Sequence, residues 1–250
     1  NITVRDNEIS HFTKSFNLIH IDDCHGGAIS SNYIHDCSTD ADGAAQITGI
    51  GTDIDSGQFG ASGRGSSNLV IENNRIADLA VGENFYAKYG YQTDGINIGF
   101  QTSHFTLRHN DISDVGEGLD MFGTDGLVVN NSVEGARYYG LKFVHGASHI
   151  VAESNTLVST GIAAIILAGS TVRDRDTANN IIINNTIEGM HQYDPNLPGS
   201  YGIAIRANGG TSFLPRNNLI AGNILRLNGE GQYGLLADSS GNFDNDFIHN

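Results

Sequence analysis

The sequence predicts an all-β chain wound as a single-stranded parallel β-helix of about nine or ten coils, and three observations carry that expectation. An Asn recurs in the pattern apolar-x-apolar-x-x-Asn-x-apolar at Asn7, Asn32, Asn74, Asn110, Asn131, Asn155, Asn185, Asn223 and Asn250. Around these marks the chain reads as short strands with Ile, Val and Leu at period two, as in "LVIENNRIADL", "FTLRHNDISDV" and "IIINNTIEGM", with no amphipathic helix. Thirty-two glycines against three prolines supply recurring corners, not a proline-rich or collagen-like pattern.

Each element of the repeat has a physical reason. The Asn spacings of 21 and 24 residues between Asn110, Asn131 and Asn155 leave room for three short strands and their corners. A unit of that length closes one coil, which hydrogen-bonds to the next about 4.8 Å away. The Asn itself suits a corner because it tolerates left-handed backbone, and its amide can bond the equivalent Asn above and below. Wider gaps, Asn32 to Asn74 and Asn185 to Asn223, mark inserted loops. Leucine-rich and ankyrin solenoids need helical or leucine-dense segments that the chain lacks, and a β-sandwich would not register its Asn positions.

Composition excludes several function classes. With 28 acidic against 13 basic side chains, a formal net charge of -15, most of the surface would repel a nucleic-acid backbone. No apolar run reaches the length of about 18 residues that spans a membrane. Both ends, "NITVRDNEIS" and "DNDFIHN", read as pieces of the repeat, so residues 1–250 are expected to be part of a longer β-helix domain without its caps; no signal peptide is present. Cys24 and Cys37 are read as free thiols of a β-helical core, with a bridge between them as the alternative.

A second column predicts a site. The glycine that opens one strand of each coil aligns "DGINIGF" (94–100), "EGLDMFG" (117–123), "YGLKFVH" (139–145), "YGIAIRA" (201–207) and "YGLLADS" (233–239), with "GAAQITG" (43–49) earlier and "TGIAAIIL" (160–167) in a register the sequence leaves open. Period two sends Ile96, Leu119, Leu141 and Ile203 inward and leaves Asn97, Asp120, Lys142, Ala204, Arg206 and Asp238 facing out on one sheet. Asp94, Glu117, Tyr139, Tyr201 and Tyr233 occupy its leading edge. Stacking predicts that Asn97, Asp120 and Lys142 touch in sequence as one polar strip. Insertions at 81–93 and 191–200 on one side and 52–67 and 207–216 on the other are expected to wall a groove over this strip. Carboxylates, cations and tyrosines along a groove suit a hydroxyl-rich polysaccharide, with Asn97, Arg206, Tyr201 and Tyr233 as substrate-binding candidates.

At this point the chain resembles the pectate-lyase-like β-helix superfamily over essentially its whole length, which implies right-handed winding and a secreted or cell-surface location. "TDGINI" is similar to the Asn-Thr-Asp segment of polygalacturonases, with Asp94 as the matching acid; Gly116 and Glu117 stand where that family has an Asp pair, and Tyr139 where it has a His. The layout also resembles β-helical alginate lyases and mannuronan C5-epimerases, whose "HG…H…N" segment is similar to His145-Gly146 through Asn155, although their Asp-Pro-His is absent.

Two chemistries follow. Lys142, His145 or Tyr139 could transfer the C5 proton of a uronate in a lyase or epimerase, and Lys142 could equally be the cation of a salt bridge with Asp120. His145 and His149 are read more readily as structural corner residues. Alternatively, Asp94 with Glu117 or Asp120 could hydrolyse a glycosidic bond. Calcium held by Asp94, Glu117 and Asp120 is the one metal that the acidic excess suggests, since "CSTDADG" lacks the Glu of an EF-hand. The leading expectation is a lyase or epimerase on a uronate polymer such as alginate or pectate. A glycoside hydrolase and a non-catalytic carbohydrate-binding or structural β-helix are the alternatives.

Overall fold

The computed structural model describes residues 1–13, 17–38, 47–52, 65–79, 93–170, 175–191, 200–207, 213–229, 231–238 and 244–250. Among these, every extended segment belongs to a parallel β-helix. Three long sheets run along it, of nine, eight and eight strands, with a two-stranded pair, Thr177–Ala178 and Pro215–Arg216, beside the first. The first sheet begins at Ile2–Arg5 and ends at Asp246–Ile248, and the second begins at Glu8–Ser10 and ends at Ile224–Arg226. The third sheet holds the site. Its strands are Asn17–Ile21, Thr48–Thr52, Asp94–Ile98, Glu117–Met121, Tyr139–Phe143, Ala163–Ala168, Ser200–Arg206 and Gln232–Ala237, all parallel.

The apolar period-two residues fill the interior. Ile96, Leu119, Leu141, Ile165 and Ile203 stack in register and are almost wholly buried. Burying such a side chain contributes roughly 1.5–3 kcal/mol, and the repetition of these columns coil after coil supplies the core. Cys24 and Cys37 are both free thiols.

The Asn column forms as the spacing predicts. Asn131 shows the pattern: its Nδ2 donates to Asn155 Oδ1 at 3.0 Å and to Leu107 O at 3.0 Å, while its Oδ1 accepts from both the backbone N and the Nδ2 of Asn110. The same side-chain link runs unbroken from Asn7 to Asn250. A second, shorter ladder, Asn180–Asn218–Asn245, was not anticipated. One expectation is corrected: the left-handed residue at this corner is the one before the ladder Asn. Asp6, Ser31, Asn73, His109, Asn130, Ser154, Asn184, Gly222 and His249 all have φ between 50° and 62°. The ladder Asn is placed by its amide bonds, and its predecessor makes the bend.

Candidate active site

In six of the eight third-sheet strands a leading glycine does more than turn a corner; Leu18 and Ala164 take its place in the other two. A Cβ on Gly118 would lie 2.5 Å from Val133 Cγ1 and 2.5 Å from Gly140 O, and one on Gly95 would lie 2.6 Å from Ile112 Cγ2. The glycine therefore faces the core, next to an inward Ile or Leu, and strict alternation breaks there. The residue before the glycine swings outward, onto the same face as the residue two places after it.

Two outward columns result, read across successive coils. The first is Thr48, Asp94, Glu117, Tyr139, Ala163, Tyr201 and Tyr233. The second is Gly51, Asn97, Asp120, Lys142, Ile166, Ala204 and Leu236. Three coils thus bring Asp94, Glu117, Tyr139, Asn97, Asp120 and Lys142 into one array. Gly43, expected to lead an early coil, is displaced by Gly49 in "TGIGT", and Gly43 itself lies outside the described residues. The polar strip is also shorter than expected, because Ile166 and Ala204 follow Lys142.

Asn97 Nδ2 donates to Asp94 Oδ2 at 3.2 Å and to Asp120 Oδ2 at 3.3 Å, so one amide bridges two acids. Lys142 Nζ donates to Glu117 Oε2 at 2.8 Å and to Asp120 Oδ2 at 3.2 Å. Thr48 Oγ1 reaches Asp94 Oδ2 at 3.5 Å. One oxygen from each of the three acids lies within 4.8 Å of the others. Asp94 and Glu117 are 0% exposed, Asp120 is 2% exposed and the Lys142 side chain 12%, so the expected open groove floor is a covered cluster. Within it, Asn97 Oδ1, Glu117 Oε1 and Asp120 Oδ1 have no hydrogen-bond partner among the described residues.

Three carboxylates against one ammonium cannot all stay charged away from water at low cost. Burial pushes the Asp120 carboxyl well above the ordinary carboxylate range; Lys142 opposes this, and Glu117 and Asp94 add to it. Burial alone would lower Lys142, but Asp120, Glu117 and Asp94 more than reverse it and hold the ammonium well above the usual lysine range. Lys142 lies closer to Glu117, at 2.8 Å, than to Asp120, at 3.2 Å, and Asp120 is the acid whose carboxyl is pushed up. Burial, then Glu117, raises the Tyr139 phenol too. Lys142 is therefore a fixed cation and a poor base, and Tyr139 is a poor base as well. Calcium takes six to eight oxygen ligands. The three acids are close enough to share a cation, but two of them already hold Lys142, so calcium would have to displace the ammonium there.

The other predicted residues are spread around the array. Tyr201 and Tyr233 continue the first column beyond Ala163, with ring centroids 5.6 Å apart, and do not reach the acids' coils. Arg206 is in register with Ala168, one outward place beyond Ala204, as the alternation predicts. His145 packs against Phe122, centroids 5.2 Å apart, and Phe122 stacks on Phe100 at 4.8 Å. Lys142 Nζ lies 5.8 Å from the Phe122 ring centroid, so the ring that packs against His145 also flanks Lys142. His149 is exposed at a left-handed corner. Phe100, Phe122 and Thr48 were not anticipated. Phe122 could have been found, since it directly follows the Asp120 strand. The insertions 81–93, 191–200, 52–67 and 207–216 lie largely outside the described residues. An apolar cavity of about 630 Å³ lined by Ile203, Leu225, Leu235 and Phe247 opens at the last coil and contains none of the acids.

Coil stacking, the Asn ladder and the outward-facing site define a solenoid of the parallel β-helix class. Residues 1–173 match the model of the right handed beta helix region, and the chain belongs to that family. Among solved structures, the chain is similar to a mutant DFA-IIIase from Arthrobacter chlorophenolicus A6 in complex with DFA-III, at 14% identity and a TM-score of 0.58. The alignment covers 94% of this chain and 48% of that one. DFA-IIIase from the same organism in complex with GF2 aligns at 13% identity, a TM-score of 0.55 and the same coverage. The chain thus spans about half the length of these structures, and at such identity the likeness establishes the fold. No curated protein matches the chain.

Proposed function

We propose that the chain is a carbohydrate-active enzyme that cleaves the glycosidic bond of an uncharged glycan, with Asp120 as proton donor and Asp94 as the opposing carboxylate. One observation carries this reading: a buried trio of acids on the outer face of the third sheet, in which Lys142 bridges Glu117 and Asp120 and burial pushes the Asp120 carboxyl above the ordinary carboxylate range. Asp120 would protonate the leaving oxygen. Asp94 would attack the anomeric carbon, forming a glycosyl ester as the C–O bond to the leaving group breaks. Water, deprotonated by Asp120, would then displace Asp94. Glu117 and Lys142 would keep the local charge fixed while the oxocarbenium-like transition state develops.

Acid oxygens within 4.8 Å of one another favour direct attack, because an interposed water calls for carboxyl groups about 6.5–9.5 Å apart. Retained anomeric configuration, read by NMR of the first product, is the expected outcome. The acids also argue against a uronate substrate, since a further carboxylate would enter a site already rich in negative charge. Lys142 and Tyr139, the bases that a lyase or epimerase would need, are both held protonated by their surroundings. The fold shared with an enzyme recorded with DFA-III and GF2 bound supports the class of chemistry.

The test is release of reducing sugar from a panel of neutral glucans and fructans by the wild type and by Asp120→Asn. Turnover in the wild type and its loss in the variant supports the reading. Full activity in the variant, or unsaturated products from alginate or pectate, would overturn it.

A further inference from the structure

The two outward columns change character abruptly after Lys142. Asn97, Asp120 and Lys142 are polar, and the next two residues in line are Ile166 and Ala204, only 4% and 1% exposed although they face away from the core. They are covered because they join a second apolar cluster on the outside of the sheet. Val144, Ala163 and Ala168 belong to the same cluster, and the half-buried rings of Tyr139 and Tyr201 pack onto it. A floor of this kind offers a sugar no hydrogen-bonding partner, and the rings packed on it occupy the space above.

Toward the earlier coils the surface differs. Gly51 stands in line with Asn97, a Cβ there would meet Asn17 Oδ1 at 2.7 Å, and Asn17 Nδ2 pairs with Nδ1 of exposed His20 at 2.8 Å. The floor remains polar on that side.

We propose that the acid site is a pocket closed at its Lys142 end, which receives the terminus of a glycan and leaves the rest of the chain to run over Asn17 and His20. This rests on the reading of the acid trio as a glycoside-cleaving site and specifies its substrate end. From the Glu117–Asp120 coil to the Ile166 coil is two steps of about 4.8 Å, roughly 10 Å in all. That span is no longer than one or two sugar rings. The site would therefore release small units from chain ends and would not cut a polymer internally.

The experiment pairs a binding arm with a turnover arm. Neutral glucan and fructan oligosaccharides, each carrying a bulky aromatic cap at one end or the other, are titrated calorimetrically into Asp120→Asn. The expected result is asymmetric: one cap weakens binding roughly tenfold or more, about 1.4 kcal/mol, while the other is tolerated. Equal tolerance of both caps, or binding of no oligosaccharide, overturns the proposal. In the turnover arm, wild type acting on the parent polysaccharides is expected to give only one- and two-ring products early, with viscosity unchanged. Early products of intermediate length overturn the closed pocket while leaving the hydrolase reading intact. Asymmetric binding without any turnover does the reverse. Ile166→Ala with Tyr201→Ala should open the closed end and admit the cap that wild type refuses, with a melting curve to confirm folding; continued refusal by a folded variant also counts against the proposal.

Discussion

The Asn ladder and the acid cluster are both buried polar columns stacked in register, yet they solve burial in opposite ways. In the ladder each amide gives and receives in full: Asn131 bonds Asn155, Leu107 and Asn110 with ordinary geometry. In the acid cluster three buried oxygens have no hydrogen-bond partner among the described residues, and burial pushes one carboxyl well above its ordinary range. A fully satisfied polar column rigidifies the solenoid, whereas an incompletely satisfied one keeps a chemical capacity at a cost in stability. The contrast separates scaffold from site without reference to any relative.

The largest effect expected to sharpen this contrast is on rate. Asp120→Asn should lower turnover on a glycan substrate about 10²–10⁴-fold, the usual worth of a positioned proton donor. Its stability should move the other way with pH. The folded-state pKa of Asp120 is raised. Its protonated form is favourable to the fold below the unfolded value near 4, and that contribution is lost as pH rises toward the folded value. Asp120→Asn should therefore gain on wild type in thermal melts as pH rises above about 4, and a difference that does not change with pH would contradict the raised carboxyl.

Lys142→Met comes next. Removing the one ammonium leaves Glu117 and Asp120 buried without it, a loss of about 3–5 kcal/mol measurable by denaturant unfolding. Asn131→Ala follows, at roughly 2–4 kcal/mol, because it leaves the Asn110 backbone N and Leu107 O short of partners in the interior. If Asn131→Ala proved harmless, the distinction between scaffold and site would collapse. The smallest effect belongs to the surface: Arg108 pairs with Glu72 at 2.6 Å while nearly half exposed, and Arg108→Ala should cost less than about 1 kcal/mol.

The fold was legible because the Asn pattern and the period-two strands repeat often enough for one coil to calibrate the next. The site was legible where a polar residue marked the phase of its strand, which is why Asn97, Asp120 and Lys142 fall side by side as expected. In "TGIAAIIL" nothing polar marks the phase, so the intrusion of Ile166 into the column was hidden. The burial of the acids was not readable from single strands, because it depends on what packs over the sheet.

The inward-facing glycine of the third sheet has a wider consequence. Where it breaks alternation it leaves two outward positions on the rung, and neither is needed by the core. The solenoid becomes a two-track rack whose slots can be refilled singly, which allows a change of reaction or substrate to proceed rung by rung while the interior stays as it is.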